Sequence, residues 1–285
     1  MWPADAGPDR RRIALVGFGR FGRIHALRLQ YHPAFVLACV VDTDAQARAA
    51  ARATGLVAWP SLDALPPDIE AASVVTPADT HADVAVALLS RGLHVLVEKP
   101  LATHEGDIQR LLAVAHRTGR LLCTGHIERF NACLLSPPWE GRPQRLDFER
   151  QSTAVGSGRS AVMDLMVHDI DLAAHLLRLP GDAGFRVVSV AERHDQVRAE
   201  VDMGGCRVAL LARHGAERSS ASLRWGEARG QALELSVRPA AHEEDALTRQ
   251  YTAFHHLLAG RSATLADAQA GAVAARRALA ILAEL

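Results

Sequence analysis

Ile13-Ala14-Leu15-Val16-Gly17-Phe18-Gly19-Arg20-Phe21-Gly22 is the stretch on which the reading of this chain turns. Four apolar residues make a short strand, and glycines spaced G-x-G-x-x-G follow it and open a helical pattern. In that context Gly17 permits a tight turn, Gly19 lets backbone amides approach a pyrophosphate, and Gly22 lets the helix pack close to the strand. The helix N-terminus offers N–H groups and partial positive charge to the phosphates. Phe18, Arg20 and Phe21 fill the loop between the glycines and count with them as candidate cofactor contacts. The next apolar run ends at Val40-Val41-Asp42, with Asp42 twenty residues after Gly22. A carboxylate there accepts hydrogen bonds from the adenosine ribose hydroxyls and repels a 2′-phosphate, so NAD is expected rather than NADP. Arg20 and Thr43 are the counter-signal, since either could help hold a 2′-phosphate.

Outward from this motif, apolar runs recur at Val36–Val41, Ala71–Val75, Val95–Val97 and Leu121–Cys123, with helical patterns between them such as Asp83–Leu89 and Asp107–Ala115. Continuous apolar strands alternating with helices predict an α/β fold with a parallel sheet covered on both faces. After about residue 142 the pattern changes. Arg145–Arg150 and Ala232–Val237 alternate apolar with polar, and 185–194, 196–204, 206–213 and 219–225 read as further strands between turns. That predicts a mainly antiparallel sheet with one face packed and one more exposed. A long helix is expected over Val162–Leu179, stopped by Pro180-Gly181, and a helical, Ala-rich tail from about Glu243.

Two further places carry chemistry. Glu98-Lys99-Pro100 follows His94-Val95-Leu96-Val97, which puts a lysine at a strand end. Beside a nicotinamide, Lys99 could donate to a substrate oxygen and stabilise alkoxide charge. In the second half, positions 164, 168, 171, 175 and 178 are polar in a helix where almost every other position is apolar. At about 100° per residue they share a stripe roughly 80° wide, which suggests that Asp164 and His168 line a cleft. A modest solvent stripe is the plainer alternative. Asp and His at this spacing do not amount to a zinc site, because no compact third and fourth ligand is evident.

Composition narrows the class. With 285 residues, 49% apolar and 22% charged, the chain is expected to be soluble and globular, burying roughly 75% of its unfolded surface. A net charge of zero gives no reason to expect nucleic acid or an anionic membrane as partner. No apolar run reaches the ~20 residues a spanning helix needs. Met1-Trp2-Pro3-Ala4-Asp5 lacks a positive start followed by an apolar stretch, so no signal peptide is expected. Cys39, Cys123, Cys133 and Cys206 form no CxxC pair, so they read as reduced thiols of a cytoplasmic protein.

Together these residues resemble the Gfo/Idh/MocA family of nicotinamide-dependent oxidoreductases, with stations at Gly17–Gly22, Val41-Asp42, Val75-Thr76-Pro77 with His81, Glu98-Lys99-Pro100-Leu101, and Asp164-Leu-Met-Val-His168-Asp-Ile-Asp171. The resemblance implies an N-terminal Rossmann domain over 1–126. A substrate and oligomerisation domain with a large open sheet would follow over 127–285, its C-terminal helix free to pack back on the first. It adds Thr76, Pro77, His81 and Glu98 to the cofactor contacts, and implies a homodimer or homotetramer paired through the open sheet. In the family mechanism Lys99 polarises the reacting oxygen, His168 is the general base, and Asp164 binds substrate or orients the imidazole. Imidazole suits that role because its unperturbed pKa, ~6.5, lies near working pH.

A narrower likeness lies at Thr124-Gly125-His126-Ile127-Glu128-Arg129-Phe130-Asn131, which resembles the branch containing UDP-N-acetylglucosamine 3-dehydrogenases. It implies substrate contacts from His126, Glu128, Arg129 and Asn131, with the Arg129 fork suited to a diphosphate. Alternatively, Glu128 and Arg129 pair with each other to close the loop. Ala132 stands where the branch usually has Pro, and Cys133–Arg142 is short, which leaves the pocket size open. The expected activity is an NAD-dependent dehydrogenase of a sugar hydroxyl, most readily a nucleotide-linked amino sugar. The competing expectations are an inositol or free-sugar dehydrogenase, and a non-catalytic NAD(P)-sensing regulator.

Overall fold

Within a computed structural model, residues 10–226, 230–235 and 244–285 are described. The chain divides into two compact units: Met1–Gly125 with Leu247–Ala268, and His126–Ala246 with Gln269–Leu285.

The first unit begins β1 (Arg11–Val16), α1 (Arg20–Tyr31), β2 (Phe35–Val41), α2 (Ala45–Ala53), β3 (Ala58–Trp59), β4 (Ala71–Val74), α3 (His81–Ser90), β5 (His94–Glu98), α4 (Glu105–Thr118) and β6 (Leu122–Gly125). The strands pair in parallel in the order β6-β5-β4-β1-β2-β3. Ile13, Leu15, Ala71, Val74, Val95 and Leu96 are buried because the central strands have no solvent face. Local chemistry sets the helix ends. The Asp44 carboxylate accepts the Gln46 N–H at 3.0 Å to start α2. Gly119, at φ 64°, closes α4 in the left-handed conformation.

The second unit holds β7 (Arg145–Gln151), α5 (Gly158–Ala161), a π-helical turn (Val162–Met166), α6 (Val167–Leu176), β8 (Phe185–Arg193), β9 (Gln196–Met203), β10 (Cys206–Arg213), β11 (Ser220–Trp225) and β12 (Gln231–Glu234). The sheet order is β12-β11-β7-β10-β9-β8, antiparallel except where β7 runs parallel to β10. Period-two alternation puts Leu146, Phe148, Val197, Ala199, Val201, Val208 and Leu210 into one core with Val162, Met166 and Ile170. Burying each such Leu, Val or Ile contributes about 1.5–3 kcal/mol. The opposite face carries Arg145, Asp147, Glu149, Arg198 and Arg224.

The chain then returns to the first unit. Helix α7 (Ala246–Leu258) packs Tyr251 and Phe254 on Phe35, with ring centroids 6.0 and 6.2 Å away. Strand β13 (Ala266–Asp267) adds antiparallel to the β6 edge. Helix α8 (Ala268–Leu282) contributes Ala274, Ala278 and Ile281 to the second core. A single cut after residue 126 therefore misses a return of the chain, and it is α7 rather than the last helix that joins the first unit.

Two further expectations need correction. The helix expected over Val162–Leu179 starts at Gly158, passes through the π-helical turn, and ends at Leu176, with Arg178 at φ 53°. Ala232–Val237 is strand only through Glu234, and its last two residues lie outside the described residues.

Candidate active site

The glycine loop is built as its spacing predicts, with a different reason at each position. Gly17 has φ 96°, and a Cβ there would lie 2.5 Å from the Val75 carbonyl oxygen. A Cβ on Gly22 would lie 2.2 Å from the Gly17 carbonyl oxygen. Around Gly19 a Cβ would meet nothing within 4 Å. Neither the protein nor the φ of −67° calls for glycine at Gly19, and the open space beside it is where a ligand could approach the backbone. No side chain caps α1, and its first turn holds no acidic residue. An open backbone cradle at an uncapped helix N-terminus fits a dinucleotide pyrophosphate. Phe18 is buried, whereas Arg20 and Phe21 are exposed.

Asp42 is tied to this loop. Its carboxylate accepts the Phe18 N–H at 2.6 Å and the Asp44 N–H at 2.8 Å. Carboxylate oxygens have spare lone pairs, so ribose hydroxyls can still donate to it. Arg48 donates to the carbonyls of Asp42 and Thr43 at 2.9 and 2.8 Å. It adds a cation beside Thr43 that the sequence reading passed over.

The next two strand ends are linked by His81. Its Nδ1 lies 2.8 Å from the Pro100 carbonyl oxygen and its Nε2 lies 2.9 Å from that of Thr76. Burial lowers its pKa, against the pull of those carbonyls. A neutral imidazole has one N–H, so it donates to one carbonyl at a time. His81 is thus buried between the Thr76-Pro77 turn and the cis Lys99–Pro100 peptide. Thr76 Oγ1 accepts from Thr80 Oγ1 at 2.8 Å, and Pro77 is exposed.

Glu98 points into the first unit. Its Oε1 lies 3.5 Å from Gln250 Nε2 and 3.5 Å from His25 Nε2. A Cβ on Gly125 would stand 2.3 Å from Oε1, so any larger residue there would displace the carboxylate. Burial pushes the Glu98 carboxyl up to about 7, with Lys99 and Gln250 opposing. Burial also pulls His25 down to about 3. Tyr251 Oη donates to Ser73 Oγ at 2.9 Å, so His25 Nδ1, 2.7 Å away, supplies the N–H. His25 Nε2 is then the acceptor that faces Glu98. Lys99 follows, half-buried at the end of β5.

In the second unit Asp164 is exposed within the π-helical turn and His168 is half-buried in α6. The π-turn breaks the α-helical register between them, so the even polar stripe does not form. Asp171, expected on that stripe, is buried and held by Arg129 through Nε at 2.8 Å and Nη2 at 2.6 Å. His126, also buried, has Nδ1 3.7 Å from Asp171 Oδ2. Burial alone would raise the Asp171 carboxyl, but His126 and Arg129 hold it below its usual value.

Glu128 and Arg129 do not pair with each other. Glu128 accepts from Arg150 Nη1 at 2.7 Å and from Asn131 Nδ2 at 3.0 Å. Asn131 in turn accepts the Cys133 N–H at 3.2 Å. Arg150 also grips Asp169 at 2.7–3.2 Å. The four residues expected on substrate are thus engaged inside the second unit. Arg150 and Asp169 were missed, although Arg150 is in phase with inward-facing Leu146 and Phe148 of β7. A charge at an inward strand position signals a buried partner.

Comparison with known proteins agrees with this architecture. The profile of an oxidoreductase family with an NAD-binding Rossmann fold, Gfo/Idh/MocA, matches residues 11–126. A UDP-N-acetylglucosamine 3-dehydrogenase of Acidithiobacillus ferrooxidans is 35% identical over 211 residues, 70% of this chain and 66% of that protein. Its crystal form P21 superposes with a TM-score of 0.82 at 26% identity over 97% of each chain. The NAD(+)-dependent scyllo-inositol 2-dehydrogenase of Bacillus subtilis is 28% identical over 188 residues, 58% of this chain and 54% of that one. The myo-inositol dehydrogenase of Lactobacillus casei, solved with NAD(H) and myo-inositol, shares the fold at a TM-score of 0.80 and 20% identity, covering 96% and 94% of the two chains.

Proposed function

Because the chain belongs to the Gfo/Idh/MocA family of oxidoreductases with an NAD-binding Rossmann fold, we propose that it interconverts a secondary hydroxyl and a ketone on a sugar, most readily a nucleotide-linked amino sugar. One contrast carries the reading. Lys99, Asp164 and His168 are exposed or half-buried, whereas Asp169 and Asp171 beside them in sequence are buried.

When bound, NAD supplies the hydride acceptor for oxidation and the donor for reduction. The ammonium of Lys99 donates to the reacting oxygen and stabilises negative charge as it develops there. The His168 imidazole takes the hydroxyl proton in oxidation and returns it in reduction. Asp164 accepts from a neighbouring sugar hydroxyl or orients the imidazole. Asp42 receives the adenosine ribose hydroxyls, and the backbone at Gly19 leaves room for the pyrophosphate.

The similarity to a UDP-N-acetylglucosamine 3-dehydrogenase supports the nucleotide-linked substrate. A second reading, an inositol or free sugar, has its own support: Arg129 and Asn131, expected on a diphosphate sugar, already hold Asp171 and Glu128. A regulator without catalysis fits poorly with the presence of Lys99, Asp164 and His168. We place the enzyme in the cytoplasm, where Cys39, Cys123, Cys133 and Cys206, all free thiols, stay reduced. The mixed charges on the open sheet face suit pairing of two or four copies through it.

The test is absorbance of NADH during incubation with NAD and UDP-N-acetylglucosamine, other UDP-sugars, inositols or free hexoses. UDP-sugar oxidation is expected. Activity confined to inositols or hexoses would select the second reading, and preference for NADP would remove the role given to Asp42. His168→Ala, folded and still binding NADH, should lose turnover by roughly 10²–10⁴-fold. Full turnover in that variant would sink the mechanism.

A further inference from the structure

We propose that His214, a residue of the second unit, is the positioning residue for the Asp164 carboxylate; the inference rests on the hydride-transfer reading. His214 follows β10 directly, and its ring is buried. Its Nε2 lies 3.8 Å from Asp164 Oδ2. Among the described residues its Nδ1 has no hydrogen-bond partner.

The surroundings are shaped to admit this ring. A Cβ on Gly156 would stand 2.7 Å from His214 Cδ2 and 3.0 Å from Nε2, with Ser160 Oγ at 2.8 Å. Gly156 is not among the glycines of positive φ, so its backbone conformation does not require glycine. The space taken by the imidazole does. The ring is also fixed from the backbone. The His214 N–H donates to the Asp195 carbonyl at 2.9 Å, and the Gly215 N–H donates to that of Ala154 at 2.7 Å. The Ala216 N–H reaches the Ser152 carbonyl at 3.0 Å, so the segment leading to α5 is tied to the end of β10.

Asp164 is the side chain that this fixed ring faces. It projects from a π-helical turn, where side chains leave the α-helical register, and its side chain is half exposed. An exposed carboxylate samples several rotamers, and binding substrate in one of them costs entropy. A rigid nitrogen beside Oδ2 selects one orientation, by direct attraction or through one bridging water. Asp164 then meets the substrate hydroxyl, or His168, already aimed.

The experiment follows NADH formation from NAD with UDP-N-acetylglucosamine and with myo-inositol as the two probes. His214→Leu fills the cavity but removes the nitrogen, and should lower kcat roughly 10–100-fold while NADH affinity is unchanged. His214→Gln, whose amide can reach the place of Nε2, should recover most of that loss. Gly156→Ala, which displaces the ring and leaves His214 in the sequence, should resemble His214→Leu. In a double-mutant cycle, His214→Leu should add almost nothing once Asp164 is Asn, because it acts through Asp164. Additive losses, or wild-type turnover in folded His214→Leu, overturn the positioning role while leaving the hydride-transfer reading intact. Full turnover in Asp164→Asn and His168→Ala, or wild-type silence with both probes, overturns both. A His214→Leu protein that melts early leaves the decision to Gly156→Ala and the cycle built on it.

Discussion

Arg150 holds Asp169 with two guanidinium nitrogens at once, Nε at 3.1 Å and Nη2 at 2.7 Å from Oδ1, and extends Nη1 to Glu128 at 2.7 Å. One buried arginine thus bolts α6, one residue after His168, to the turn that carries Asn131. Removing a buried cation strands its carboxylates away from water, and such losses run to about 3–5 kcal/mol. Arg150→Met should lower unfolding free energy in urea by that order. Arg150→Lys should recover less than half, because an ammonium cannot reproduce the fork. Near-wild-type stability in Arg150→Met would show that the pair contributes little.

The glycine loop should separate folding from binding. Gly22→Ala drives a Cβ into the Gly17 carbonyl, so it should destabilise by about 1–3 kcal/mol. Gly19→Ala places its methyl in open space and should leave the melting temperature unchanged. It should nevertheless weaken NADH binding by tenfold or more, roughly 1.4 kcal/mol or above. Calorimetric titration with NADH beside a thermal melt distinguishes the two variants. Equal NADH affinity in Gly19→Ala and wild type would count against the cradle.

The Glu98 carboxyl makes stability depend on pH in a direction opposite to most acids. Its folded pKa, about 7, lies above the ordinary 4.5, so the unfolded chain ionises first. Between those values the folded state holds the extra proton, and stability falls as pH rises, by on the order of 3 kcal/mol in all. Glu98→Gln should therefore gain on wild type between pH 4.5 and pH 7 and keep the advantage above. His25, pulled to about 3, acts oppositely below its ordinary 6.5, but its contribution cancels in the comparison of variant with wild type. Urea unfolding at pH 5 and pH 8 measures the change, and an identical difference at both would refute it.

Asp171 gives the usual sign. Its carboxyl is held below its ordinary value, so it contributes stability above the unfolded pKa and loses it as pH falls through the folded one. Arg129→Gln should cost about 3–5 kcal/mol at pH 7. The gap from wild type should narrow at acid pH, where the carboxyl, no longer held down by Arg129, takes up its proton in the folded variant before it does in wild type. A gap that is the same at pH 3.5 and pH 7 would mean that Arg129 stabilises by packing alone.

What was readable in the sequence was what depends on neighbours in the chain. Gly17 and Gly22 need no distant information, because each avoids a clash with the loop they share or the strand beside it. Apart from the two-residue strands β3 and β13, the strands of both sheets followed from buried runs and from alternation. Partnerships between distant residues were not readable in the same way. Arg129 looked like an anion site until Asp171, forty-two positions on, took its fork. Nothing local announces a π-turn, so Asp164 and His168 looked like one even stripe. Some signals were present and unused. His25 shares the inward stripe of α1 with Gly22, Ala26 and Leu29, and a polar residue there implies a buried partner.

Neither unit is a continuous piece of chain, because α7 closes the first and α8 completes the second. A ribosome releases Phe35, His25 and Ser73 long before Tyr251 and Phe254 exist to cover them. The nascent Rossmann sheet must wait, with its aromatic seat open, through the synthesis of the whole second sheet. A fragment ending at residue 126 would keep that seat open permanently, and exposed aromatic surface of this kind favours aggregation. The last forty residues supply a closing helix to each half in turn, so the two modules cannot be cut apart at one point, exchanged, or lost separately.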